Sequence, residues 1–205
     1  MRLKRTAFSL TFAAAVLAVW SVNATVGAAQ ENDDAPEVEL GARGLAAAPA
    51  VPALNAKLLA YAKSNIGKKI GDGECTTLVN TGYQAVGARR DPPFGPNVDY
   101  IWGTAIRDRT KVLPGDVIQF RDAVFKTQKK KGNTITIYTF RLPHHTAIVS
   151  EARNSGAAFV ILNQNSGDST MGAATDLKVK SSFIKMADLQ AGGKLWFYRP
   201  IAAAK

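Results

Sequence analysis

The spacing of apolar residues changes once along this chain, near residue 115. Before that point the apolar positions recur with a helical period. Leu58, Leu59 and Ala62 share one side of residues 55–64, which predicts a short helix. Three glycines, Gly67, Gly71 and Gly73, then loosen the chain. Cys75, Leu78, Val79, Gly82 and Val86 follow at i, i+3, i+4, i+7 and i+11, one face of a second helix that Gly87 ends. Residues 91–100 form a proline-rich loop. Beyond Pro114-Gly115 the period drops to two. Residues 116–120, 134–140, 146–150, 158–162 and 195–198 read as strands rich in β-branched and aromatic side chains. Asn154, Ser155 and Gly156 turn the third of these into the fourth as a hairpin. Helices first and an antiparallel sheet afterwards predict an α+β fold.

The N-terminus has a different character. Arg2, Lys4 and Arg5 precede an apolar stretch from Ala7 to Val22, and Val26-Gly27-Ala28 offers a cleavage site. Residues 1–29 therefore read as a secretory signal peptide, with an uncleaved anchor as the lesser alternative. Residues 30–52, acidic at first and then rich in alanine, glycine and proline, read as a flexible linker. The folded domain is expected over 53–201. No later stretch is long and apolar enough to span a bilayer, so a stable membrane span is not expected after signal cleavage. Secretion or residence in the periplasm follows.

Charge narrows the partners. The chain carries a formal +10, and from residue 52 onward 22 Lys and Arg face 11 Asp and Glu. A basic exported domain associates with polyanions, and outside the cytoplasm these belong to the cell envelope. No stacking or recognition motif points to nucleic acid. Aid to solubility is the plainer reading of the same charge. The single cysteine, Cys75, excludes an intrachain disulfide and leaves a free thiol in an oxidising compartment, either buried or put to use. A monomer is expected.

Cys75 opens the second helix behind a glycine-rich turn. Helix N-terminal amides stabilise a thiolate there, and Gly71 and Gly73 leave room for substrate. Glu74 beside it works the other way. A base must come from His144 or His145, the only two histidines. Alternation puts His145 with Ala147 and Val149, and His144 with Thr146 and Ile148, so only one ring faces Cys75. The hairpin turn at 154–156 sets His145 opposite Asn165 and diagonal to Asn163, while Gln164 points away. A slip of one residue would bring Gln164 opposite instead.

Gly73-Glu74-Cys75-Thr76, Pro114-Gly115-Asp116-Val117 with Phe120, and His145-Thr146-Ala147-Ile148-Val149 occur in this order. Together they resemble the CHAP and NlpC-like cysteine hydrolases, papain-like enzymes that cleave amide bonds in bacterial peptidoglycan. The resemblance covers about residues 65–165. It implies Cys75 as nucleophile, His145 as base, Asn163 in the orienting position and Asn165 in the asparagine position two residues on. No cofactor and no metal are implied. Asp72 and Glu74 are too few oxygen donors for the calcium site of some CHAP domains.

Two readings of function follow. One is an exported hydrolase of peptidoglycan amide bonds. The other is a non-catalytic papain-like module that binds anionic envelope polymer. Between Phe120 and His144 lies a basic segment with Lys126, Lys129, Lys130, Lys131 and Arg141. It reads as an inserted hairpin turning near Gly132-Asn133, placed to hold wall polymer at the mouth of the cleft.

Overall fold

The computed structural model describes residues 50–166 and 177–204. The signal peptide read at 1–29, and all but the last three residues of the linker read at 30–52, lie outside them.

Helix α1 spans Ala53–Ser64, directly after Pro52, with Asn55, Leu58 and Ala62 buried. Helix α2 spans Cys75–Val86 and stops where Gly87 takes φ 71°, a left-handed conformation that costs glycine little. The helices meet at Gly82. A Cβ there would lie 2.8 Å from the Leu58 side chain and 3.0 Å from the Tyr61 ring. Eight strands accompany them: β1 (Ala88–Arg89), β2 (Thr104–Ile106), β3 (Val117–Lys131), β4 (Thr134–Arg153), β5 (Ala158–Asn163), β6 (Lys180–Lys185), β7 (Lys194–Arg199) and β8 (Ile201–Ala202). β1 pairs with β8. The other six form one antiparallel sheet in the order β2-β7-β3-β4-β5-β6. The architecture is thus α+β.

Two cores flank this sheet. Leu58, Leu78, Val79, Trp102, Val117, Ile148 and Leu162 join the helices to one face. Ile118, Phe120, Ala147, Val149, Phe159 and Ile161 fill the other, where Ala123, Phe125 and Leu142 from the far ends of β3 and β4 complete it. The alternation expected in β4 is therefore present, with Ala147 and Val149 against one core and Ile148 against the other.

The basic segment is a hairpin, as expected, and it is continuous with the strands on either side of it. β3 and β4 are single long strands that run through it and turn at Gly132-Asn133, where Gly132 has φ 59°. Their ladder breaks once, between Asp122 (φ 52°) and Pro143, because proline has no N–H to give. Beyond the break, Phe125 bridges to Leu189, and Thr127 Oγ1 donates to Asp188 at 2.6 Å.

The Pro114-Gly115-Asp116 turn ties distant segments together. Gly115 has φ 84°, and a Cβ there would lie 2.2 Å from the Asn55 carbonyl oxygen. Asp116 is fully buried. It accepts from Asn55 Nδ2 at 2.7 Å, from the Leu113 amide at 2.7 Å, and from Arg199 Nε and Nη2 at 3.1 and 2.9 Å. One carboxylate thus joins α1, the start of β3 and the end of β7.

Candidate functional site

Cys75 stands at the first position of α2 and is 6 % exposed. What it faces follows from strand geometry. Val149 gives its N–H to Asp116 on the β3 side of β4. Alternation turns the N–H of Thr146 to the opposite side, where β5 has ceased to pair after Ile148–Leu162. The start of α2 fills that gap. The thiol there receives the Thr146 amide together with the amides of Thr76 and Cys75 itself. Burial nonetheless dominates and pushes the thiol above its ordinary range. Thr146 opposes this, the Glu74 charge adds to it, and the two helix amides oppose it.

Gln164 holds the loop that delivers Cys75. Its Nε2 donates to the carbonyl of Glu74 at 2.6 Å and of Ile70 at 3.1 Å, and its Oε1 accepts from the Ile70 amide at 3.2 Å. The side chain is fully buried. It points away from His145, as alternation predicts, but onto the nucleophile loop, a role the sequence reading did not assign. The signal was present as three amides in a row, Asn163-Gln164-Asn165, at the end of an apolar strand. Behind the thiol, Gln119 Oε1 accepts from Thr146 Oγ1 at 2.8 Å and Trp102 Nε1 at 3.2 Å, so the buried polar groups there are paired.

His145 is 4 % exposed and lies over Phe120, with ring centroids 6.2 Å apart. Asn163 Nδ2 donates to Ser182 Oγ at 3.1 Å, so its Oδ1 is the atom facing His145 Nε2, at 3.3 Å. An amide oxygen only accepts. Nε2 therefore carries the proton, and Nδ1 keeps the lone pair of a base. Burial pushes the imidazole down to about 4; the Asn163 bond works against this, while the charges of His144 and Lys180 add to it.

The remaining candidates fall elsewhere. His144 Nε2 donates to the Val98 carbonyl at 2.8 Å, which makes Nε2 the protonated nitrogen, and its ring stacks on Tyr100. It is a loop anchor. Asn165, with φ 55°, gives Nδ2 to Glu74 Oε2 at 2.7 Å and makes no hydrogen bond to His145. The structure thus brings His145 together with Asn163 rather than Asn165.

One expectation needs correction. α2 packs on the Ile148 side of β4, and His145 points to the other side, with Phe120 and Ala147. The thiol sits at the strand's edge against Thr146. Among the described residues no hydrogen bond joins Cys75 to either imidazole. Parity alone could not show this, because it takes no account of a helix end filling a vacated strand position. Burial favours the uncharged form of both groups, the thiol of Cys75 and the imidazole of His145. The lysine run is also divided: Lys129 faces the same side as Phe125 and Thr127, and alternation sends Lys126 and Lys130 to the opposite side. Among the described residues no three His, Cys, Asp or Glu side chains gather as a metal site.

The family model described as "AIM3/BBC1 Cysteine proteinase-fold domain" matches residues 50–204. No curated protein and no solved structure matches the chain.

Proposed function

From the premise that this chain belongs to the AIM3/BBC1 cysteine proteinase-fold domain family, and so has a papain-like fold, we propose that it is an exported thiol hydrolase of cell-wall peptidoglycan. The peptidoglycan assignment rests on the resemblance to CHAP and NlpC-like hydrolases. The observation that carries the chemistry is the bond from His145 Nε2 to Asn163 Oδ1, which leaves Nδ1 basic beside the strand whose next amide touches the thiol.

In this reading the Cys75 proton passes to His145 Nδ1 as the sulfur attacks the amide carbonyl carbon. Amides at the start of α2 receive the developing oxyanion. Nδ1 then returns the proton to the departing amine, leaving a thioester. Water, losing a proton to Nδ1, attacks the thioester and restores the thiol. Asn163 holds the imidazole in the required tautomer throughout. The resting thiol and imidazole are not hydrogen-bonded, and the ring lies with Phe120 and Ala147, so this reading requires a rearrangement that turns the imidazole toward the sulfur. The basic domain acts as a monomer on anionic envelope polymer outside the cytoplasm, without nucleic acid or a cofactor.

The test is to incubate the protein and Cys75→Ala with purified peptidoglycan and identify released fragments by mass. Cleavage that survives Cys75→Ala removes the mechanism. The raised thiol favours a second reading, a non-catalytic module that binds envelope polymer. Alkylation rates separate the two. A nucleophile reacts in the native protein at neutral pH, whereas a structural thiol reacts only after denaturation.

A further inference from the structure

A channel of about 560 Å³ lies between β6 and the projecting part of β3 and β4. The whole of β6, Lys180–Lys185, forms one wall, and the ribbon forms the other. Two walls of extended strand define a slot for an extended ligand. β6 ends the sheet order, so its outer edge has no strand partner among the described residues, and its backbone groups there are open to one.

The lining is basic and aromatic. Lys129, Lys180 and Lys185 line the channel with Tyr138 and Phe183; along β6, alternation turns Lys180 to the Ile184 side and Phe183 and Lys185 to the other, and Phe183 is 49 % exposed. Asp188 is the one acidic residue of the lining, and its Oδ2 accepts from Thr127. The ion pairs among the described residues use arginines only, so none of these three lysines has an ion-pair partner there. At one end the channel reaches the candidate site, since Lys180 pairs in register with Asn163 and Ser182 accepts from Asn163 Nδ2.

We propose that this channel binds an extended acidic peptide, which adds a strand to the free edge of β6 and sets its carboxylates against Lys129, Lys180 and Lys185. A backbone edge recognises backbone, which favours a peptide over a polysaccharide or nucleic acid. Lysines without an ion-pair partner favour an acidic sequence over a neutral one. The inference rests on the hydrolase reading for what happens to such a peptide afterwards, not for its binding.

The experiment is fluorescence anisotropy of the full chain, carrying Cys75→Ala, with fluorescein-labelled hexaglutamate at low and physiological salt. Lys180→Ser with Lys185→Ser should weaken binding about tenfold at low salt and flatten its salt dependence. Lys126→Ser with Lys130→Ser, on the opposite ribbon face, should leave it near the parent value. Hexaglutamate N-methylated at alternate residues should bind about tenfold more weakly, because strand addition needs the peptide N–H groups. Equal binding of the methylated peptide, or of polyphosphate of the same charge, would show that charge alone is read and overturn the peptide strand. Equal loss in both lysine pairs, or no binding of hexaglutamate at all, would overturn the channel. None of these outcomes depends on hydrolysis, whose own test uses peptidoglycan and an intact Cys75.

Discussion

Acid should destabilise this domain through His145 specifically. The imidazole is buried and titrates at about 4 in the folded protein against an ordinary 6.5. A lowered base binds its proton more weakly when folded, so between these values only the unfolded chain takes it up. Stability from this group is complete above pH 6.5, falls as pH drops toward 4, and levels off below. Each pH unit in that window costs about 1.4 kcal/mol, which gives a loss of about 3 kcal/mol in all. That is a large part of the total for an ordinary domain. Urea unfolding at pH 7, 6, 5 and 4 measures it, with His145→Gln as the reference. The substitution has its own constant cost, and every other group is the same in both proteins. The difference between the two curves therefore isolates the imidazole. It should shrink steadily from pH 6.5 to 4, by about 3 kcal/mol. Parallel curves would refute the reasoning, since they would mean that His145 takes up its proton equally in both states.

Asn163→Ala should reduce peptidoglycan turnover while Asn165→Ala leaves most of it, since Asn163 alone bonds to His145; equal rates from Asn163→Ala and the parent would remove it from the site. Gln164→Ala strips its partners from Ile70 and Glu74, and should cost about 2–4 kcal/mol in urea unfolding besides lowering turnover. Asp116→Ala leaves Asn55, the Leu113 amide and Arg199 without their acceptor. A loss of about 3–5 kcal/mol by thermal or urea unfolding is expected, and a change under 1 kcal/mol would contradict the structural role given to that carboxylate.

Much of this fold was legible in the chain, for physical reasons that also explain the gaps. α2 was readable from Cys75 to Gly87 because its apolar face and its glycine stop agree. β2 was not, because three residues carry no period. β6 was not, because only Ile184 in Lys180–Lys185 is buried. Residues 134–140 were legible as a strand, but not its continuity with 146–150, because on the far side of Pro143 the exposed residues lose the buried alternation while the backbone pairing continues. The hairpin register is the instructive case. A three-residue turn at 154–156 was expected to set Ile148 opposite Leu162, and that pairing is present. The connection is in fact one residue longer, since Arg153 pairs with Ala158, and an irregularity between Val149 and Glu151 removes the extra residue before the site. Two local departures cancel. At the site, parity separated the two histidines correctly, but the thiol's place at the strand edge depended on where β5 stopped pairing.

The sheet order has a consequence for how the protein is made. β7, residues 194–199, lies between β2 and β3, and its Arg199 closes on Asp116 at the start of β3. β3 to β6 can pair with one another without β7, but β2 has no neighbour in the sheet until β7 is in place, and Val117 waits for Tyr198 across about eighty residues of sequence, on the order of a whole small domain. The folding rate of such a chain is limited by closing contacts far apart in sequence.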